Sequence, residues 1–290
     1  MLHLYREFWY FLTKYLALIL PGPIFLNFIR FVNYNRLGFK YYPLNLKEPK
    51  TFNEKLNYVK LNFRPDLGSK AADKVEVREY VSEVIGSEYL VPLIGIYENA
   101  RDIDFDKLPN QFVIKANHGS GWNLICTNKD DLNWSKELSK LNKWLSRNAF
   151  YVSIEWQYKN IKPRLICEKL LGYDIKDYKI FCNNGNALFV QVDSDRFTNH
   201  TRSIYDSEWN ELDICIRYDK ITPKANPPHN LKEMLSLASK LSEPFKICRV
   251  DFYEVESKIY FGEITLFPGG GQEPFHNYEQ DLKFGSYFSI

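Results

Sequence analysis

The chain has 290 residues, 45% of them hydrophobic and 26% charged, which suits a globular protein of one large domain or two modest ones. A formal net charge of +2 provides no global basic field, which excludes nucleic acid as the expected partner. Five cysteines (Cys126, Cys167, Cys182, Cys215 and Cys248) stand far apart without a CxxC pair, which argues against a disulfide framework or a zinc site and for a reducing compartment.

Phe8 to Leu20 is nearly all apolar, broken by Thr13 and Lys14, and Pro21-Gly22-Pro23 then stops any helix. A second apolar piece, Ile24 to Val32, carries Arg30. The first run is too short for a membrane span of about 20 residues, and no small-residue cleavage motif of a secretory signal follows it. Two readings stay open. One is an interfacial helix with Trp9, Tyr10 and Tyr15 at head-group level and Arg6, Lys14 and Arg30 facing acidic lipid. The other is a helical lid packed on the main domain, or a dimer contact. Residues 1–50 form an accessory segment in either case.

Phe52 to Phe63 reads as a short helix and Ala71 to Ile85 as a second. Asp73, Lys74 and Arg78 on the second helix read as solvated surface. Tyr89 to Tyr97 is a strand candidate. Phe112 to Lys115 is a strand that ends in a lysine, followed by Ala116-Asn117-His118-Gly119-Ser120-Gly121 and a return strand, Leu124 to Thr127. Gly and Ser let backbone N–H groups curl round an anionic oxygen, so this turn reads as a phosphate cradle as well as a hairpin. It is not a P-loop, since no GK[ST] opens a helix here.

Ser135 to Asn148 is a helix. Trp156-Gln157-Tyr158-Lys159 reads as substrate loop or plain packing. Arg164 to Leu171 is a strand whose Glu168-Lys169 end suits an edge that meets a ligand. Asp177 and Lys179 share a face of the next strand, and Asn184-Gly185 signals a hairpin to Ala187–Val192. Residues 194 to 227, with Asp195, Arg196, His200 and Arg202, read as a loop or lid. Asn230 to Leu241 is a helix. The tail from Gln272 to Ile290 shows no clear period.

Between them lies the stretch with most chemistry: Arg249-Val250-Asp251-Phe252-Tyr253 and Gly262-Glu263-Ile264-Thr265, two alternating strands joined by a short polar turn. Arg249, Asp251 and Tyr253 share one side of the first; Glu263 and Thr265 share one side of the second. Two carboxylates on paired strands suit a magnesium ion, or form a neutralised pair with Arg249 on a wet sheet face. The order of elements, with at least three antiparallel hairpins, points to an α+β fold.

Taken in order, these marks resemble the ATP-grasp enzymes, in the branch similar to the teichuronopeptide-biosynthesis protein TupA. The marks are Phe52-Asn53-Glu54-Lys55, Ala72-Asp73-Lys74 with Arg78-Glu79-Tyr80-Val81, Phe112-Val113-Ile114-Lys115 and His118-Gly119-Ser120-Gly121. They continue with Glu168, Asp177-Tyr178-Lys179, Arg249-Val250-Asp251 and Gly262-Glu263-Ile264-Thr265, so the resemblance covers roughly Phe52 to Phe288. It implies a small subdomain with the Gly-rich loop (109–172) and a large one with the magnesium site (173–290), both α+β and clasping a nucleotide, after an N-terminal α/β subdomain (51–108) and the N-terminal segment 1–50. It implies Lys74 and Lys115 as phosphate lysines, His118 to Gly121 as the loop over the phosphates, and Glu168, Lys169, Leu170 and Leu171 as the adenine hinge. Asp177 and Lys179 join the ATP site, Asp251 and Glu263 hold Mg²⁺, and Arg249 stabilises a tetrahedral intermediate or a phosphate. Many members carry an asparagine two residues after the glutamate; here that position is Thr265.

The implied reaction is ADP-forming carboxylate–amine ligation through an acyl phosphate, joining an amino acid to a sugar acid in surface polysaccharide synthesis. Arg78, Tyr158, Lys159 and Arg202 are the expected substrate contacts. The implied place of work is the cytoplasm, with peripheral contact of the N-terminal segment on the inner membrane face. The alternatives are a sugar kinase using the same ATP site, a glycosyltransferase, and a non-catalytic scaffold.

Overall fold

The computed structural model describes residues 2–172, 175–195 and 198–290, with side chains from Glu7 onward; the expected roles of Arg6 and Arg196 lie outside what it describes. Helix α1 (Leu2–Ile19) ends before Pro21, and α2 (Gly22–Leu37) starts with a proline in its first turn. Gly38, at φ 76°, closes α2 in a left-handed cap. In α3 (Phe52–Asn62), Thr51 and Glu54 form a reciprocal capping box. The single helix expected over Ala71 to Ile85 is instead two, α4 (Gly68–Ala72) and α5 (Val77–Val84), with Asp73 at the break. Asp73 is the physical reason: its carboxylate accepts from the backbone N–H groups of Val75 and Glu76, a turn that competes with helix.

Two antiparallel sheets follow. The first, ordered β1-β4-β2-β3, uses β1 (Leu93–Tyr97), β2 (Phe112–Ala116) and β3 (Asn123–Cys126). Helices α6 (Trp134–Leu145) and α7 (Phe150–Ser153) then precede its fourth strand, β4 (Leu165–Lys169). Tyr89, expected at a strand start, lies in a 3-10 turn. Leu141 and Trp144 of α6 share a core with Phe112, Ile114 and Leu165.

The second sheet is ordered β7-β6-β5-β8-β9. Its strands are β5 (Asp177–Asn183), β6 (Asn186–Ser194), β7 (Thr201–Asp206), β8 (Ile247–Val255) and β9 (Lys258–Thr265). The β5–β6 turn has Asn184 and Gly185 both at positive φ, as a two-residue hairpin with this twist demands. The region expected as loop or lid over 194–227 supplies the edge strand β7. Its Arg202 is buried because Asp193 lies opposite it in the β6–β7 register. Helix α8 (Leu231–Ser242) lies before β8 and buries Met234, Leu237, Ala238 and Leu241.

The tail, unreadable as periodic sequence, forms α9 (Tyr278–Ser286). It closes an aromatic core in which Phe52 lies 4.9 Å from Phe284 and 4.7 Å from Phe288, ring to ring. Asp281 of α9 is fully buried and accepts from Asn53 and the Tyr42 hydroxyl, while Arg30 of α2 lies 3.5 Å away. Helix α2 is therefore packed on the main body.

Replacing Phe284 by alanine empties the meeting point of α3, α9 and β5. The expected cost is about 3–5 kcal/mol, read as a lower urea midpoint at unchanged slope.

Candidate active site

Strand alternation places one row of polar residues on a single face of the larger sheet. In register, Asp193 faces Arg202, Lys179 faces both Gln191 and Asp251, Asp251 faces Glu263, and Arg249 faces Thr265. The row thus crosses all five strands. The opposite face carries Ile180, Val190, Val250 and Phe252, all fully or nearly fully buried in the large core.

Charges in this row compensate one another at close range. Arg249 donates to both oxygens of Asp251, at 2.7 and 2.8 Å, and Lys179 donates to the same carboxylate at 2.9 Å. Lys179 also bonds Asp177, and both are buried. Burial alone would push the Lys179 ammonium down; the Asp251 and Asp177 charges reverse that and hold it protonated. For the same reason the Arg249 guanidinium stays charged although buried.

Glu263 stands at the end of the row, its side chain about a third open (32%) to the cleft. Lys74 Nζ lies 3.4 Å from one of its oxygens, Arg249 3.6 Å from the other, and the Thr265 hydroxyl donates at 3.1 Å. Burial would raise its pKa; the charges of Lys74, Arg249 and Lys179 overcome this and hold it at about 2.

Across the cleft, Lys115 of β2 and Arg78 of α5 each donate to one oxygen of Glu168, both at 2.8 Å. The cleft between the sheets is lined by Lys74, Arg78, Lys115, Glu168, Phe261 and Gly262. Lys74 and Arg78, which read as solvated surface, point into it with side chains 13% and 17% exposed. Lys74 Nζ also donates to the Gly119 carbonyl at 2.9 Å, tying α4–α5 to the glycine turn. The structure therefore brings Lys74, Lys115 and Glu168 to one cleft, with Glu263 beside Lys74 and the Arg249–Asp251 pair behind it.

Other expected residues sit elsewhere. Glu168, expected to meet an exocyclic amine, here accepts from a cation at each oxygen, Arg78 at one and Lys115 at the other. Lys169 is exposed, and Leu170 and Leu171 follow the strand end half-buried. His118 is turned into the fold: its ring contacts Asn117 and the Trp144 and Arg147 carbonyls, and burial lowers its pKa. Ser120 is exposed, and Gly121 sits at φ 72°, which a side chain would strain. Tyr158 is buried beside Ala72, Ala149 and Ile161, which is packing. Its hydroxyl is pushed up by burial and by the Glu155 and Glu263 charges. Lys159 is exposed over the Phe150 ring. Arg202 is held by Asp193 at 2.6 Å and Glu273 at 3.2 Å.

Several partners escaped sequence reading. Asp193 alternates with Gln191 on β6, a signal that period-two reading could have caught. Lys60 and Glu155 had none, since they lie 95 positions apart and meet only in the fold. Lys60 is fully buried, donates to Asn57, Ser153 and Gly270, and is lowered to about 8 by burial.

Asp251, Glu263 and Thr265, facing one another in the β8–β9 register with Arg249, offer two carboxylates and a hydroxyl. This all-oxygen set fits magnesium, which takes one or two carboxylates and completes its shell with water and phosphate oxygens. Among the described residues, no group of three or more His, Cys, Asp or Glu forms a cage for a metal by itself.

A family model of TupA-like ATP-grasp proteins matches residues 54–289. The chain belongs to the TupA-like ATP-grasp family. No curated protein matches it. Among solved structures it is similar to an ADP complex of N5-carboxyaminoimidazole ribonucleotide synthetase, at 11% identity and a TM-score of 0.44 over 69% of this chain and 46% of that one. It is also similar to phosphoribosylamine–glycine ligase from Thermotoga maritima, at 14% and 0.44 over 70% and 50%. A third is D-alanine–D-alanine ligase from Bacillus anthracis, at 16% and 0.43 over 77% and 72%. The chain spans about half the length of the first two. Membership in the TupA-like family rests on the sequence match.

The lowered pKa of Glu263 carries a sign. Its contribution to stability is complete above the ordinary carboxylate value of 4.5 and is lost as pH falls toward about 2. Urea unfolding followed from pH 7 to pH 3 is expected to show a shallower loss of stability for Glu263→Gln than for the wild type.

Proposed function

We propose that this protein is an ADP-forming carboxylate–amine ligase that joins an amino acid to a sugar acid during surface polysaccharide assembly. The observation that supports the reading is a cleft lined by Lys74 and Lys115, with Glu263 beside Lys74 and Arg249 and Asp251 behind Glu263, in a chain of the TupA-like ATP-grasp family.

In this reading ATP lies in the cleft with its phosphates toward Lys74 and Lys115. These ammonium groups change partners, from Glu263 and Glu168 to phosphate oxygens. Asp251, Glu263 and the Thr265 hydroxyl would hold magnesium, with Asp251 still bonded by Lys179. The ion, when bound, neutralises phosphate charge and polarises the transferring group. A substrate carboxylate oxygen attacks the γ-phosphorus, the bond to the β,γ-bridging oxygen breaks, and ADP leaves. The amine nitrogen then attacks the acyl carbon, inorganic phosphate departs, and the amine loses a proton to give the amide. Arg249, held flat by its two bonds to Asp251, meets the negative charge on the reacting centre. The exposed Ser120–Gly121 end of the turn, linked to Lys74 through the Gly119 carbonyl, would close over the phosphates and exclude water that would hydrolyse the acyl phosphate. Arg202, at the far end of the polar row on β7 and paired with Asp193 and Glu273, would have to change partners to meet substrate. Work on a lipid-linked acceptor would place the protein at the inner face of the cell membrane.

The test is ADP release and hydroxamate formation across a panel of uronic acids and amino acids, with hydroxylamine as the trapping amine. A hydroxamate formed only with ATP and a carboxylate is expected. A phosphorylated sugar formed without any amine would favour the kinase reading instead. Lys115→Ala and Glu263→Gln are each expected to lower turnover at least about 100-fold with the circular dichroism spectrum unchanged. Near wild-type turnover by either would falsify the site.

A further inference from the structure

We propose that the outer face of α1 and α2 docks on the surface of an anionic lipid bilayer. Phe8, Phe11, Tyr15 and Leu18 of α1 recur at helical spacing, and each is 62–65% exposed. Ile24 and Phe31, seven positions apart on α2, are 56% and 50% exposed. Large apolar side chains gathered on one helical pair, and not scattered singly, mark a surface that is covered in use.

The stripe is not open because α1 is detached. The Tyr10 hydroxyl accepts from the Asn148 backbone N–H at 3.0 Å, Arg147 donates to Glu7 at 2.5 Å, and Thr13 is fully buried. Trp9 stacks on Phe28 of α2, and α2 is anchored through Arg30, which donates to the Tyr42 carbonyl. One face of the pair is thus bound to the body while the other presents rings outward.

Charge selects the occupant. From Phe8 to Lys47 the sequence has no Asp or Glu. Lys14, Arg36, Lys40 and Lys47 in that stretch are exposed, whereas Arg30 is buried and committed to the fold. A two-fold contact with a second copy would bring these cations toward their own counterparts with no carboxylate from either stretch to meet them. Anionic head groups meet them directly, while aromatic rings enter the boundary below. Among the described residues no helix is long and apolar enough to cross a membrane, so the contact is one that lies on the surface. The inference rests on the proposed ligase reading only for its purpose, access to a lipid-linked acceptor.

The experiment is co-sedimentation of the full chain with vesicles of phosphatidylcholine alone or with 30% phosphatidylglycerol (a composition chosen at roughly the anionic content of a charged leaflet). Binding to the anionic vesicles, weakened in high salt, is expected. The variants Phe11→Ser with Leu18→Ser, and Lys14→Glu with Lys40→Glu, should each bind at least about tenfold more weakly. All four positions are exposed, so folding should be intact by circular dichroism. Absence of wild-type binding to either vesicle, or binding by both variants equal to wild type, would overturn the proposal. So would a wild-type dimer that the Phe11 and Leu18 changes convert to monomer, which would assign the face to a second copy. ADP release with soluble substrates, measured on the same samples, reports on the ligase reading separately: it should be unchanged in these variants whether or not lipid binds.

Discussion

Charge compensation across one buried sheet face is the constraint on which the rest of the structure depends. Asp251 lies almost wholly buried in the middle of a sheet, where an unpaired carboxylate would be strongly unfavourable. It is tolerated because Arg249 grips both its oxygens and Lys179 reaches it from the neighbouring strand. Those two cations are in turn kept charged by the acids around them. No member of the group can be removed without leaving another buried charge exposed to the low dielectric. A group assembled this way has each charge fixed by at least one partner.

The groups at the cleft edge behave differently. Glu263 is partly open, and its partner Lys74 also serves the Gly119 carbonyl. Lys115 and Arg78 converge on Glu168 from two separate elements. These contacts join separate elements, and Glu263, about a third open, is the carboxylate among them that water reaches most. Asp251 and Lys179 inside the sheet have no such access.

Packing behind the site supports this division. The apolar face of the larger sheet rests on α8 and on an aromatic cluster closed by α9, so the polar row sits on a stiff floor. Asp281 joins α2, α3 and α9 through four hydrogen-bonding or ionic contacts. The N-terminal helices are thereby part of the fold on one side while their other side stays uncovered.

Much was legible in the chain order. Period-two alternation placed Arg249, Asp251, Glu263 and Thr265 correctly on their strand faces, because side-chain direction in a strand is a local property. Asn184-Gly185 announced its turn for an equally local reason. What only the tertiary structure decided is which charge meets which. Lys74 and Arg78 look like surface until the first sheet folds over them and makes a cleft. Arg202 looks like loop until Asp193 buries it in a strand. The tail shows no period because α9 buries the single ring of Phe284, whose partners Phe52, Phe181 and Phe189 lie about a hundred residues or more away in the chain. Local sequence sets the direction in which a side chain points; the electrostatic partner that gives a buried charge its role comes from distant chain, and no spacing rule reaches that far.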